Sequence, residues 1–439
     1  SMHRVPIRVP DPSGRSSRTR AGRTGAGRVP PVRDRSASLR VALLALLSLL
    51  LGAGGCAAQE VPETLVRSSD PELRAMAARL LPDLARRSGM ELREPVQLEM
   101  RSRAQLVRYL EAKLDEELDA EEARHTVAAY HLMGLVPDTL DLRGVLLDLY
   151  TEQVAGFYDP DSTALFILDD QPARALQGLL VHELVHAVQD QTADLDALTD
   201  PELGNDRATA AQAAIEGHAT LVMLEYLTEQ MRGAPVDLSE MPDFGADLRP
   251  ALEGMRSQFP ALAGAPRVIQ EALLFPYLEG AGYVQRLWTE EERVAPFGPW
   301  LPTSTEQVLT GERGDEPVPV ALEVEGGRIL HEDALGRLEL GVLLEAHAGD
   351  GAGDAARGWG GDRWALVEDG AGGQGLVLAV AWDEAAARDA FMDRLGAHLD
   401  AFPARAELES LDLPVGPVSL LRVGSALATP VTVLRAEGG

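Results

Sequence analysis

The sequence predicts an α+β fold: a mainly helical first part with a small mixed sheet, followed by a smaller α+β domain. Three observations predict it. Apolar residues recur at helical spacing over most of residues 70–290. Strand-like runs in that span are few and short: Pro95 to Met100, which alternates, and Thr163 to Leu168, which is continuously apolar. Beyond a cluster of Gly, Pro and acidic residues at 311–319, strand-like and helix-like stretches are interspersed. The implied organisation is a leader over residues 1–56, a tether over 57–70, a first domain over 71–315 and a second over 316–439. The chain shows no internal repeat.

The leader is basic. Residues 1–40 hold ten Arg and two Asp, a charge of +8. An uncharged apolar run, Val41 to Leu51, follows, and then Gly52-Ala53-Gly54-Gly55-Cys56. The run is shorter than the roughly 20 residues of a comfortable membrane span. A basic segment, a short apolar core and a small-residue site make a secretory signal. Cys56 is the chain's one cysteine. Ala53-Gly54-Gly55-Cys56 resembles the bacterial lipobox, in which the cysteine carries lipid, although Ala53 stands where Leu is usual. The alternative is an ordinary signal peptide with an incidental cysteine. Ala57, where Asp would favour retention at the inner membrane, points to the outer membrane.

Charge excludes several partners. Removing the leader's +8 from the chain's −29 leaves −37. Such a surface repels the phosphates of nucleic acid and anionic lipid head groups, so membrane contact is expected through the anchor alone. With no second cysteine, no disulfide forms within the chain.

From Asp70, Leu73, Met76, Ala77, Leu80, Leu81 and Leu84 mark a helix. A second is expected from Ser102 to Leu118, and a third from Thr139 to Val154 with Leu142, Val145, Leu146 and Leu149 buried. Gly156-Phe-Tyr-Asp-Pro160 reads as a turn because Asp-Pro initiates turns. Pro172 then opens a helix at its first turn and the pattern continues to Gln191. Asp194 to Asp206 reads as an acidic loop. Asp190, Asp194 and Asp196 lack a calcium-loop spacing and read as solvated carboxylates. An alanine-rich helix runs from Arg207 to Met231, residues 235–266 are mixed, and Glu271 to Trp288 is helical with a break at Phe275-Pro276-Tyr277. In the second domain, helices are expected at Asp333 to Ala346 and Glu384 to Leu399. Strands are expected at Asp362 to Glu368, Gly375 to Trp382, Val418 to Val423 and Thr429 to Leu434. Gly358 to Trp364 reads as a turn entering a strand with aromatic packing.

One stretch carries chemistry. His182-Glu183-Leu184-Val185-His186 lies within the helix that Pro172 opens. At about 100° per residue, two histidines four apart share one helix face and can reach one metal ion. Glu183 lies beside them, close enough to take a proton from a water on that metal. A catalytic zinc site takes three protein ligands. Thr192 and Gln189 occupy the positions where one known continuation needs His and Gly, which excludes the metzincin arrangement. Glu216, in Ile215-Glu216-Gly217-His218-Ala219, lies 30 residues after His186, beyond a loop long enough to reverse direction. Gly217 would allow the two helices to approach. His218 is about 200° round the helix from Glu216 and should face away from the metal.

With these residues the chain resembles the gluzincin metallopeptidases over roughly residues 95–230. Gly156-Phe-Tyr-Asp-Pro160, Phe275-Pro276-Tyr277 and Ser304-Thr305-Glu306-Gln307 look like phrases in uncharacterised bacterial lipoprotein metallopeptidases. The resemblance implies a zincin-like catalytic domain, one Zn2+ held by His182, His186 and Glu216, and Glu183 as general base in peptide-bond hydrolysis. It also implies that the strand before the active-site helix, here Thr163 to Leu168, binds extended substrate along its edge. Tyr158, Tyr277 and Tyr283 are candidate oxyanion donors, each with a packing role as the alternative. Thr220 stands where some members of the family have an Asp supporting a ligand histidine, so that support must come from elsewhere. The expected protein is an exported, lipid-anchored zinc endopeptidase acting on protein or peptide. Two alternatives stand beside it: a non-catalytic surface binding lipoprotein on the same scaffold, and a hydrolase of a non-peptide amide such as a cell-wall cross-link.

Overall fold

The computed structural model describes residues 65–159, 162–240, 249 and 259–436. The leader, Cys56 and most of the tether lie outside the described residues. The tether's last residues are built into the fold: β1 (Val66–Arg67) pairs in parallel with β2 (Val96–Arg101), and Asp70 caps helix α1 (Pro71–Arg87) by accepting from the Glu72 and Leu73 amides. An aspartate at this position satisfies amides that the first helical turn leaves unpaired.

Helix α2 (Arg103–Glu117) begins with a capping box in which Ser102 and Gln105 each satisfy the other's backbone amide. Helix α3 (Ala120–Leu132) has no counterpart in the sequence reading. Helix α4 (Leu142–Gln153) follows; of the four residues expected to be buried on it, Leu149 is buried, while Leu142 and Leu146 line a cavity.

The segment read as a turn is instead strand β3 (Gly156–Asp159), antiparallel to β4 (Ala164–Leu168). Thr163, expected inside the strand, has φ 49° and belongs to the hairpin turn. The sheet order is β1-β2-β4-β3, so β4 is paired on both sides, in parallel with β2 and antiparallel with β3. The expectation that β4 offers a free edge is therefore wrong. The edge strands are β1 and β3, and all four residues of β3 are buried.

Helix α5 (Ala173–Asp190) carries the histidine pair, and α6 (Asn205–Arg232) carries Glu216. The acidic loop between them contains a short helix, Leu195–Leu198, capped by Asp194. Leu179, Leu180, Val181, Leu184, Val185 and Val188 are all buried in the main core, so α5 is enclosed and its polar stripe is enclosed with it. Helix α7 (Arg267–Glu290) runs unbroken through Pro276, contrary to the expected break. Proline removes one backbone hydrogen bond but does not end a helix that packing holds. That packing is close: a Cβ on Gly217 would lie 2.0 Å from the Gly280 carbonyl carbon, and one on Gly280 would lie 2.1 Å from the Ala213 oxygen. Gly217 thus admits α7, not α5 as the sequence suggested.

The later part of the chain builds a five-stranded sheet of order β6-β7-β8-β10-β9, from β6 (Gly327–Asp333), β7 (Trp359–Asp369), β8 (Gln374–Trp382), β9 (Ala406–Leu413) and β10 (Gly416–Gly424). A separate ribbon pairs β5 (Val320–Val324) with β11 (Val431–Arg435). Strands β5, β6 and β9 were not foreseen. The central strand β8 is buried on both faces. Leu376, Leu378, Val380 and Trp382 meet the helices, including α8 (Gly336–Ala348) and α9 (Ala385–Gly396). Val377, Ala379 and Ala381 meet the β5–β11 ribbon. This two-sided burial explains the strand's unbroken apolar run. Ala129 and Met133, at the end of α3, belong to the same core as β7, β8 and α8. The α+β class is as expected. Among the described residues no helix is long and apolar enough to cross a membrane.

Candidate metal centre

One turn of α5 separates His182 from His186, and their rings lie 4.6 Å apart between centroids. Helix α6 brings Glu216 over both. His182 Nε2 lies 3.1 Å and His186 Nε2 3.3 Å from Glu216 Oε2. Ligand atoms bound at about 2.1 Å in a tetrahedron are about 3.4 Å from one another. The three side chains are thus spaced as ligands of one ion. His182 and Glu183 are fully buried, and His186 and Glu216 are 5% and 6% exposed.

The hydrogen bonds around His186 determine which nitrogen faces Glu216. The Ile215 backbone carbonyl can only accept, so the Gln189 atom 3.0 Å from it is the amide nitrogen. Gln189 therefore turns its oxygen to His186 Nδ1, at 2.7 Å. That oxygen can only accept, so Nδ1 carries a proton and Nε2 is the nitrogen left to face the cluster, as a lone pair once its own proton is displaced. The same Gln189 nitrogen lies 3.1 Å from His218 Nδ1, and His218 Nε2 donates to the Ser88 carbonyl at 3.1 Å. Ser88 O can likewise only accept, so every proton in the chain Ser88–His218–Gln189–His186 is assigned without conflict. A histidine ligand whose other ring nitrogen donates to a fixed acceptor is held in the tautomer that metal binding needs.

Charge in the cluster fits a cation at its centre. Burial alone would lower the His186 pKa, but Glu216 overcomes it and raises it to about 9. Burial likewise opposes ionisation of Glu216, yet the two histidines hold its carboxyl well below the ordinary range. Burial lowers His182 to about 4. Without a metal, a proton on His186 supplies the positive charge that Glu216 needs. Glu183 lies beside the cluster with neither carboxylate oxygen in a well-formed hydrogen bond, and burial raises its pKa to about 8.

The structure sorts the other sequence candidates. Tyr277 is buried, with its ring centroid 6.3 Å from that of His182. The Tyr158 hydroxyl donates to Asp190 at 2.9 Å and that of Tyr283 to the Trp300 carbonyl at 2.6 Å, so both are committed away from the cluster. His218 is no ligand, as expected, but it is tied to the site through Gln189. Thr220 is buried with its hydroxyl unpaired and supports neither ligand histidine. Sequence reasoning missed Gln189 and Ser88 as parts of the site. The available signal was Gln189's place three residues after His186, on a neighbouring helix face.

A family model described as "Domain of unknown function (DUF8575)" matches residues 324–426. This stretch spans the five-stranded sheet with α8 and α9, and contains none of the three clustered residues His182, His186 and Glu216. No curated protein and no solved structure matches the chain.

Proposed function

We propose that this protein is a zinc-dependent endopeptidase of the cell envelope, carried to its place by the leader and anchored through lipid on Cys56. The observation behind this reading is the convergence of His182, His186 and Glu216 on one point, with the buried, ionisable Glu183 beside it. A zinc ion held there would polarise the scissile carbonyl and lower the pKa of a water molecule. Glu183 Oε takes that water's proton and passes it to the departing amine. Gln189 and His218 orient His186. Tyr277, whose ring lies 6.3 Å from that of His182, is the candidate for oxyanion stabilisation, the hydroxyls of Tyr158 and Tyr283 being committed elsewhere. β3, one of the two edge strands, is the edge proposed to pair with an extended peptide.

Metal content tests the reading first. Full chain purified without added metal is expected to carry about one zinc, lost in His186→Ala and in Glu216→Ala. Glu183→Gln should keep the metal and lose cleavage of unfolded protein. The full burial of His182 and Glu183 favours a second reading, a binding lipoprotein that uses the metal for structure alone. Under it, wild type and Glu183→Gln both hold zinc and neither cleaves.

A further inference from the structure

A cavity of about 310 Å³ lies among α3, α4, α6, α7 and α8 and shares Tyr277 with the surroundings of the metal centre. Tyr277, next to His182, forms its near wall. On α6 it is lined by Thr209 and Gln212, which precede Glu216 by seven and four residues and share its helix face. Ile269, Leu273, Leu142 and Leu146 supply apolar walls, and Tyr130 and Tyr150 supply two more aromatic rings. The far end is different. Glu339 of α8 lines it at 6% exposure, accepting from the Tyr130 hydroxyl and, at 3.1 Å, from the Asn205 amide.

Glu339 is a buried acid supplied with neutral partners only. Burial raises its pKa to about 8 against the hydrogen bonds from Tyr130 and Asn205, and the nearby charged groups Asp333 and Asp362, themselves acidic, add to the rise. Among the described residues, no Lys, Arg or His lines the cavity. Three tyrosine rings, aliphatic walls and one acid group without a counter-ion complement an elongated group with an apolar stem and a cationic head. Burial keeps Glu339 protonated in the empty cavity, and a cation entering beside it favours its ionisation. The acidic charge of the chain favours the same class of partner.

The geometry points to this cavity as the receptor for a lysine or arginine side chain of the peptide substrate, with Glu339 accepting its charged end. The inference rests on the peptidase reading. Asn205, which holds Glu339, precedes Glu216 by eleven residues of α6, about 16 Å along the helix at 1.5 Å per residue. An extended chain advances about 3.4 Å per residue. The basic residue is therefore not at the scissile bond but up to about five positions from it.

The test uses the zinc-loaded full chain and two matched probes, Nα-acetyl-arginine amide and its neutral twin Nα-acetyl-citrulline amide. Binding is followed by calorimetry, and cleavage sites are mapped by mass spectrometry on a peptide library. The expected result is at least tenfold tighter binding of the arginine probe, a difference that Glu339→Gln removes. Mapped sites should be enriched in Lys or Arg at one fixed offset. The ratio of kcat/KM for an arginine peptide over its citrulline twin should fall at least tenfold in Glu339→Gln. Equal binding of the two probes, or binding of neither, in wild type would overturn the assignment without relying on any variant. So would cleavage with no basic preference. Glu339-dependent binding of the arginine probe with no peptide cleaved would leave the cavity's role standing and remove the peptidase reading instead.

Discussion

Replacing Gln189 by leucine should weaken zinc binding although Gln189 is no ligand. The substitution removes three hydrogen bonds at once: the one from His186 Nδ1, the one to Ile215 O and the one to His218 Nδ1. Each buried partner left alone costs about 1–3 kcal/mol. Loss of the Ile215 and His218 bonds burdens the metal-free and metal-bound states alike and appears as reduced stability. The His186 bond acts differently, because only it selects the tautomer with a free Nε2 lone pair. Losing such a partner lowers metal affinity about 10–100-fold, which is about 1.4–2.7 kcal/mol. Gln189→Glu is the informative companion. Its carboxylate still accepts from His186 Nδ1 but can no longer donate to Ile215 O or His218. It should therefore bind zinc within about tenfold of wild type while losing stability as the leucine variant does. Competition against a chelating chromophore at pH 7 gives the affinities, and thermal unfolding of the metal-free chains gives the stabilities. The reasoning fails if Gln189→Leu binds zinc within twofold of wild type, or if Gln189→Glu loses as much affinity as Gln189→Leu.

Three further outcomes are expected. Gly217→Ala places a methyl group 2.0 Å from the Gly280 carbonyl carbon and should cost at least about 3 kcal/mol by denaturant unfolding. Gly264→Ala, with nothing within 4 Å of the new methyl, should be neutral or stabilising by up to about 1 kcal/mol, and equal effects from the two would refute the packing account. Glu339 gives a pH dependence. Its pKa is about 8 folded against an ordinary 4.5, so the folded state binds the extra proton and wild type loses stability as pH rises between those values. Glu339→Gln lacks that loss, and its stability relative to wild type should rise by about 4 kcal/mol from pH 5 to pH 8; a flat difference would contradict the buried acid. Finally, Glu225 is 1% exposed and accepts both guanidinium nitrogens of Arg293, at 2.8 and 2.7 Å. Glu225→Ala should destabilise by about 3–5 kcal/mol, because an arginine is left facing a desolvated gap; a change under 1 kcal/mol in urea unfolding would show the pair to be dispensable.

The parts legible in the sequence are those written in local periodicity. His182 and His186 face one way because four residues make just over one helical turn, whatever surrounds the helix. The same holds for the helix that starts at Ser102 and for β8, whose run of small and branched apolar residues needs no partner to be recognised. Glu216 could be proposed from its distance along the chain and its small neighbours, but its 3.1 and 3.3 Å approach to the histidines is a property of how α6 packs on α5.

Other features had no local signature. Helix α3 begins Ala-Glu-Glu-Ala-Arg-His-Thr, too polar to show a clear apolar stripe, and it is stabilised at its far end by Ala129 and Met133 in the core of the later sheet. Pro276 looked like a helix break because proline costs a hydrogen bond locally, while the close fit of Gly280 on α6 is not visible along the chain. β3 looked like a turn because Asp-Pro follows it, and its pairing with β4 turned it into an edge of the sheet. The sequence by itself determined which residues share a helix face, because that depends on spacing of a few residues. Only the tertiary structure decided what those faces meet: Gln189 and His218 behind one ligand, and Glu339 at the end of a cavity built by helices up to two hundred residues apart. Hydrogen bonds and burial depend on distances in space, which local periodicity does not specify.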